Sequence, residues 1–350
     1  MKKIGIVTIN DINYGNRLQA YATQEIFKKI GCMPENLFNG DKPYSGKRKK
    51  LIHLLKCITF DKNEIQMSKR INNYKLFNKN IKFSRFDIIN DNKKDISDYY
   101  DFFFVGSDQV WNPIWMGQDI DFLCFTQKEK RNSISASFGV EQIPDNQIQR
   151  YKKLLNEFDN ISVREEAGAR IVKKLTGKDA MVLVDPTLLL TQEEWRKVSS
   201  KPYKIQKKKK YILTYFLSPM CEEAKKRLDE IRGEREVYEL LNLEDNIVGT
   251  AGPAEFIWLF DNADLILTDS FHACIFSFIF DKPFIVFDRN WDNENMNSRL
   301  ETLLSKFSLE RKYYAAGLCN DIWEHDYTDG YKQLEIEKDK FIEYISDIVS

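Results

Sequence analysis

Short apolar runs that end abruptly in glycine or polar residues alternate along the chain with stretches whose apolar side chains recur every three or four residues. That alternation demands a parallel sheet covered by helices. Residues 4–9 open the pattern. After the polar loop 10–16, Leu18, Tyr21, Ala22, Ile26, Phe27 and Ile30 keep helical spacing until Gly31 stops them. Further strands are read at 99–105, 134–138, 161–163, 181–184, 211–217, 264–268 and 283–287. The run at 264–268 turns at Asp269-Ser270-Phe271-His272 into an apolar helix. His272 thereby stands at a helix mouth, where free backbone N–H groups and the positive end of the dipole attract anions.

With 350 residues and 43% hydrophobic content, the chain supplies two cores. Residues 1–195 read as one α/β domain carrying a polar, lysine-rich helical insertion over about 40–98. Periodicity lapses between 191 and 210, where the linker is placed, and a fresh α/β pattern fills 205–330. A helix over 331–350 is expected to pack back across both domains. Two such domains leave a cleft between the C-terminal ends of their sheets, where ligands bind.

Composition excludes several classes. Basic and acidic residues balance at 53 each, so no global field draws the chain to nucleic acid. Six cysteines lack any C-x-x-C pair or any histidine at ligand spacing, Asp119-Ile120-Asp121 reads as a loop or strand-edge feature, and no metal is expected. There is no glycine-rich dinucleotide fingerprint, P-loop, nucleophile elbow or H-E-x-x-H. The chain enters a strand directly after Met1-Lys2-Lys3 and has no apolar run of about 18 residues, which predicts a cytoplasmic, thiol-reduced protein. The basic runs Lys47-Arg48-Lys49-Lys50 and Lys207–Lys210 read as solvated loops, or alternatively as contacts with anionic head groups on the inner face of a membrane.

Three places carry chemistry, each with a plainer alternative. His272 is either a core histidine satisfied by a carbonyl or part of an anion site. Ser162 and Glu165 have capping-box spacing, which puts Arg164 in a first helical turn; there it either pairs with Glu165 or Glu166, or meets an anion that offsets its conflict with the dipole. Gly106-Ser107-Asp108-Gln109-Val110-Trp111-Asn112 follows a strand rich in phenylalanine. It reads as a turn with Trp111 lidding the core, or as a sugar site in which Asp108 and Gln109 grip hydroxyls and Trp111 stacks on the ring. Asn13 and Asn16, beyond the first strand, lie near that loop by topology. His53 and His325 read as surface residues.

Taken together, Asn13-Tyr14-Gly15 with Leu18-Gln19-Ala20-Tyr21-Ala22, the 106–112 segment, Ser135-x-Ser137-Phe138-Gly139, Ser162-Val163-Arg164-Glu165, Asp185-Pro186-Thr187-Leu188-Leu189 and Ser270-Phe271-His272 occur in the order seen in polysaccharide pyruvyl transferases, which this sequence resembles from about residue 3 to 290. The resemblance implies two Rossmann-like domains in a GT-B-type arrangement, with acceptor side N-terminal and donor side C-terminal. It implies phosphoenolpyruvate as donor, no further cofactor, and as acceptor a sugar of a capsule, exopolysaccharide or cell-wall glycan or of its lipid-linked precursor. The product would carry a pyruvate ketal. Arg164 and His272 match positions associated with phosphoenolpyruvate, and Ser270 and Phe271 belong to the same block. Ser270 stands where better-studied members carry arginine, and Ala273 replaces a frequent glycine. Arg289, past the 283–287 strand, is the candidate for the missing charge. A sugar-nucleotide glycosyltransferase on the same scaffold and a non-catalytic glycan-binding relative are the competing readings.

Overall fold

Strands β1 (Lys3–Val7) and β4 (Phe102–Asp108) pair in parallel, Ile4 opposite Phe102 and Val7 opposite Val105, and the chain crosses over on either side of them. The computed structural model describes residues 1–38, 62–115, 117–203, 205, 210–289, 298–314, 322–323 and 325–350. His53, the basic run 47–50 and residues 207–209 of the second run lie outside the described residues. With β2 (Met33–Phe38), β3 (Phe83–Asp87), β5 (Arg131–Ala136), β6 (Ser162–Val163) and β7 (Met181–Val182), the first sheet has the order β3-β2-β1-β4-β5-β6-β7. The second holds β8 (Tyr211–Tyr215), β9 (Glu236–Glu239), β10 (Leu265–Thr268) and β11 (Phe284–Val286) in the order β11-β10-β8-β9. Strand order reverses between β1 and β4 and between β8 and β10, so the loops after these four strands flank the two binding crevices.

The helices in chain order are α1 (Tyr14–Lys29), α2 (Lys62–Phe77), α3 (Lys93–Tyr99), α4 (Ile148–Asn156), α5 (Glu166–Thr176), α6 (Gln192–Arg196), α7 (Glu222–Ile231), α8 (Pro253–Asn262), α9 (Phe271–Ile279), α10 (Ser298–Lys306) and α11 (Thr328–Val349). None among the described residues is long and apolar enough to cross a membrane.

Several expected boundaries shift. The expected helical insertion over about 40–98 contains a strand, β3, that joins the sheet through β2, itself unanticipated. Neither strand shows apolar alternation: β2 carries Pro34, Glu35 and Asn36, and β3 is a short edge strand with Ser84 and Arg85 inside it. Tyr99 ends α3, so β4 starts only at Phe102 and continues to Asp108. After residue 191 the chain is not irregular: Thr191 and Glu194 form a capping box that starts α6 and drives Trp195 into the core.

One apolar cluster runs through both domains. Tyr14 of α1 stacks on Phe256 of α8 with centroids 4.8 Å apart, and its hydroxyl donates to the Ala251 carbonyl at 2.8 Å. Trp195 sits between Tyr21 of α1, at 5.7 Å, and Phe276 of α9, at 4.9 Å. Arg70 of α2 donates to the carbonyls of Gly249 and Leu240. From the other end of the chain, α11 returns to the first sheet, where Tyr344 donates to Ser133 O and Lys340 to Val182 O. These contacts set the C-terminal strand ends of the two sheets toward each other. Trp195→Ala removes a fully buried indole shared by both domains and is expected to cost about 3–5 kcal/mol; urea unfolding measures it, and a loss under about 1 kcal/mol would contradict the shared core.

Candidate active site

Asp185 follows β7 and is fully shielded from solvent. Its Oδ2 accepts from the Ser107 hydroxyl beyond β4 at 2.7 Å and from Arg164 Nη1 at 2.8 Å, while Oδ1 accepts from Thr187 N at 3.0 Å and Thr187 Oγ1 at 2.7 Å. From the other domain His272 brings Nε2 to 3.7 Å of Oδ2. Arg164 therefore meets His272 across one carboxylate. The second arm of Arg164 reaches Asp108 Oδ1 at 3.3 Å, and Asp108 Oδ2 accepts from Asn16 Nδ2 of α1.

Burial alone would raise the Asp185 carboxyl, but His272, Arg164 and the Thr187 hydroxyl hold it well below the usual carboxylate range. Asp108 behaves alike: burial acts upward, and Arg164, His272 and Arg299 together win downward. For Arg164, burial disfavours the charge, yet Asp108 and Asp185 raise the guanidinium above its ordinary value.

His272 is the second residue of α9, whose N-cap is Ser270. Gly15, in the first turn of α1, faces the imidazole so closely that a Cβ placed there would overlap the ring. The Asn-Tyr-Gly segment thus docks α1 against α9. Phe271 lies under the Arg164 guanidinium, 4.4 Å from its centre to the ring centroid. Behind Ser270, Asp269 accepts from Leu217 N at 2.7 Å, Ser218 N at 3.0 Å and Ser218 Oγ at 2.7 Å, with Arg289 Nε 3.6 Å from Oδ2. Arg289 also donates to the Asp269 carbonyl at 3.1 Å.

The structure thus brings Arg164, His272, Phe271, Ser270, Asn16, Asp108 and Gln109 into one cluster, with Arg289 held at its edge by Asp269. Asn13 is one step removed: its side chain accepts from Asn16 N and caps α1. Two local readings change. Arg164 is not in a helical turn but directly follows β6, its N–H donating to Ala136 O, because Glu165 is the N-cap of α5 and Ser162 donates across the sheet to Ser133 O. Trp111 stacks on Phe122 inside the core and donates to Asp121 O, so it offers no face to a sugar. Three residues escaped sequence reading as site members. Asp269 directly follows β10 and Asp185 comes three residues after β7, a usable signal; Arg299, buried at the start of α10, had none.

A family model for polysaccharide pyruvyl transferase matches residues 13–290. The chain belongs to the polysaccharide pyruvyl transferase family. Comparison with curated sequences returns no match. Among solved structures, Anabaena Alr3699/HepE in complex with UDP and glucose is similar at 9% identity over 99% of both chains, with a TM-score of 0.50. The S. aureus MnaA–UDP structure, at 12% identity, covers 100% of this chain and 98% of its own with a TM-score of 0.47. The fold is GT-B-type, two Rossmann-like domains facing each other. In this pyruvyl transferase family member the cluster lies between those domains. A separate cavity of about 850 Å³ lies within the C-terminal domain, lined by Phe216, Ser218, Lys225, Asp229 and Asn242 among others.

Two outcomes test this geometry. Asp108 and Asp185 titrate below the unfolded value of about 3.9, so the stability they add is complete above that pH and declines as pH falls toward their folded values. Asp185→Asn should therefore lose about 3–5 kcal/mol at pH 7 and visibly less than that at pH 3, when both proteins are compared by denaturant unfolding; an equal deficit at both pH values would refute the pairing. Gly15→Ala is expected to cost about 1–3 kcal/mol, and His272→Ala in the same chain to recover most of it; strict additivity in that cycle would show that the ring and Gly15 do not touch.

Proposed function

We propose that this protein transfers the pyruvate unit of phosphoenolpyruvate onto two hydroxyls of a sugar, in a surface polysaccharide or its lipid-linked precursor, at the inner face of the membrane. The observation that carries the reading is the convergence of Arg164 and His272, from opposite domains, on the Asp185 carboxylate, with Arg289 and Arg299 beside them. Family membership supports the transferase class. The donor carries a carboxylate and a phosphate, and each charge-assisted hydrogen bond to such groups contributes about 1.5–3 kcal/mol. Such a ligand suits a cluster rich in arginine.

In this scheme the phosphate lies toward the N-terminus of α9, beside Ser270 and His272, and Arg164 reaches the anionic groups from the first domain. His272 delivers a proton to the methylene carbon, leaving an oxocarbenium-like centre on the next carbon. One sugar hydroxyl adds there and loses its proton; the C–O bond to phosphate then breaks, and the second hydroxyl closes the ketal as it too is deprotonated. Inorganic phosphate leaves. Asp185 keeps His272 oriented and compensates its charge, and Asn16, Asp108 and Gln109 form the acceptor side. Since Arg164 and His272 are almost wholly buried around Asp185, donor entry requires the domains to part at the Gly15–His272 contact.

Phosphoenolpyruvate should raise the thermal midpoint of the wild-type chain, and UDP- or GDP-sugars should not. With an acceptor glycan present, His272→Ala and Arg164→Ala are expected to lower phosphate release by about 100-fold or more while remaining folded. Protection by nucleotide sugars alone would favour glycosyl transfer, and acceptor binding without phosphate release would favour a non-catalytic relative.

A further inference from the structure

Three arginines meet at the cluster, and they are not equally neutralised. Arg164 is shared between Asp108 and Asp185, and Arg289 is bound to Asp269. Arg299, first turn of α10 and 6% exposed, has no carboxylate within salt-bridge distance among the described residues. Its Nε lacks any acceptor, and so does the hydroxyl of the preceding Ser298, which is equally buried.

The one side chain in contact is contested. The Gln109 amide oxygen either accepts from Asn112 Nδ2 at 2.8 Å or turns to accept from Arg299 Nη1 and Nη2 at 2.7 and 2.6 Å. It cannot do both. With the oxygen toward Asn112, the amide NH2 is set against a guanidinium; with it toward Arg299, two NH2 groups face each other. Asn112 cannot simply turn as well, because its own oxygen accepts from Ile114 N at 2.9 Å. In either orientation the guanidinium meets only the neutral Gln109 amide among the described residues, so its charge lacks a counter-ion in contact, which an anion beside Arg299 supplies. Electrostatics points the same way: burial, followed by repulsion from Arg164 and Arg289, pushes the Arg299 guanidinium down to about 9, so it stays cationic at neutral pH with too little counter-charge.

We infer that Arg299, with the Ser298 hydroxyl and the N-terminus of α10, forms an anion-binding subsite that grips a phosphate or carboxylate group of the donor. The inference rests on the donor reading above and adds to it a residue outside the 13–290 family match. It also divides the arginines by task. Arg289 braces the Asp269 turn, and Arg299 supplies the free positive charge that the chain lacks at Ser270.

The test is calorimetric titration of wild type, Arg299→Gln and Arg299→Lys with phosphoenolpyruvate and, separately, with inorganic phosphate, together with each variant's thermal midpoint in ligand-free, low-salt buffer. Arg299→Gln should bind phosphoenolpyruvate at least ~10-fold more weakly, with an unliganded midpoint equal to or above that of wild type because an uncompensated buried cation is gone. Arg299→Lys, which keeps the charge, should stay within a few-fold of wild type. Wild-type affinity in Arg299→Gln overturns the inference, as does a midpoint lowered by several degrees in both variants, which marks a structural role. Failure of the donor reading looks different, because wild type then ignores phosphoenolpyruvate. In that case the subsite is decided by inorganic phosphate alone: weaker phosphate binding in Arg299→Gln supports it, and equal binding overturns it.

Discussion

A carboxylate shut away from water must be neutralised where it stands, and Asp185 is paired with Arg164 of its own domain while His272 of the other approaches to 3.7 Å. Removing one partner from such a pair costs about 3–5 kcal/mol, more than a surface salt bridge returns by several-fold. The ends of β4 and β6, the turn after β7 and the start of α9 are therefore held in one relation. Gly15 tightens it further by letting α1 approach the His272 ring. The apolar cluster through Tyr14, Trp195 and Phe256 brings the domains together without direction, and the Asp185 cluster specifies which side chains meet.

The cluster also has a sign. Carboxylates answer Arg164 and Arg289, and among the described residues a neutral amide, that of Gln109, answers Arg299. A protein interior tolerates an under-compensated guanidinium when something supplies the missing charge, and a dianionic enol ester is a ligand of that kind. Ser270, which leaves the α9 N-terminus without the arginine that better-studied members carry there, is compatible with donor binding on this account because the charge enters from α10. The same arrangement explains why the acidic residues of the site do not repel the donor: their hydrogen bonds are already committed to Arg164, Thr187, Ser107 and Asn16.

Much of the fold was legible because β4, β8 and β10 are buried on both faces and so read as largely apolar runs. The strands that were missed, β2, β3 and β9, lie at or near sheet edges and carry Pro34, Asn36, Arg85 and Glu236, so local pattern gave them no signal. His272 was legible from the strand-turn-helix motif. Arg164 was legible as a motif residue but misplaced locally, since its backbone is fixed by pairing with β5 and not by a capping box. Asp185 stood in a recognised block yet looked like a strand stop; its partners lie 21, 78 and 87 residues away and only tertiary structure assembles them. Arg299 resembles every other helical arginine in the sequence, and what sets it apart is that, among the described residues, no carboxylate lies within salt-bridge distance after packing.

The most direct measurement is a crystal structure of the protein with phosphoenolpyruvate. The account predicts density for the donor between the domains, with its two anionic groups in hydrogen-bond contact with Arg164 and Arg299 and His272 beside its methylene carbon. Donor density instead in the cavity lined by Phe216, Ser218 and Asn242, with Arg164 still closed on Asp185 and His272 untouched, would contradict it.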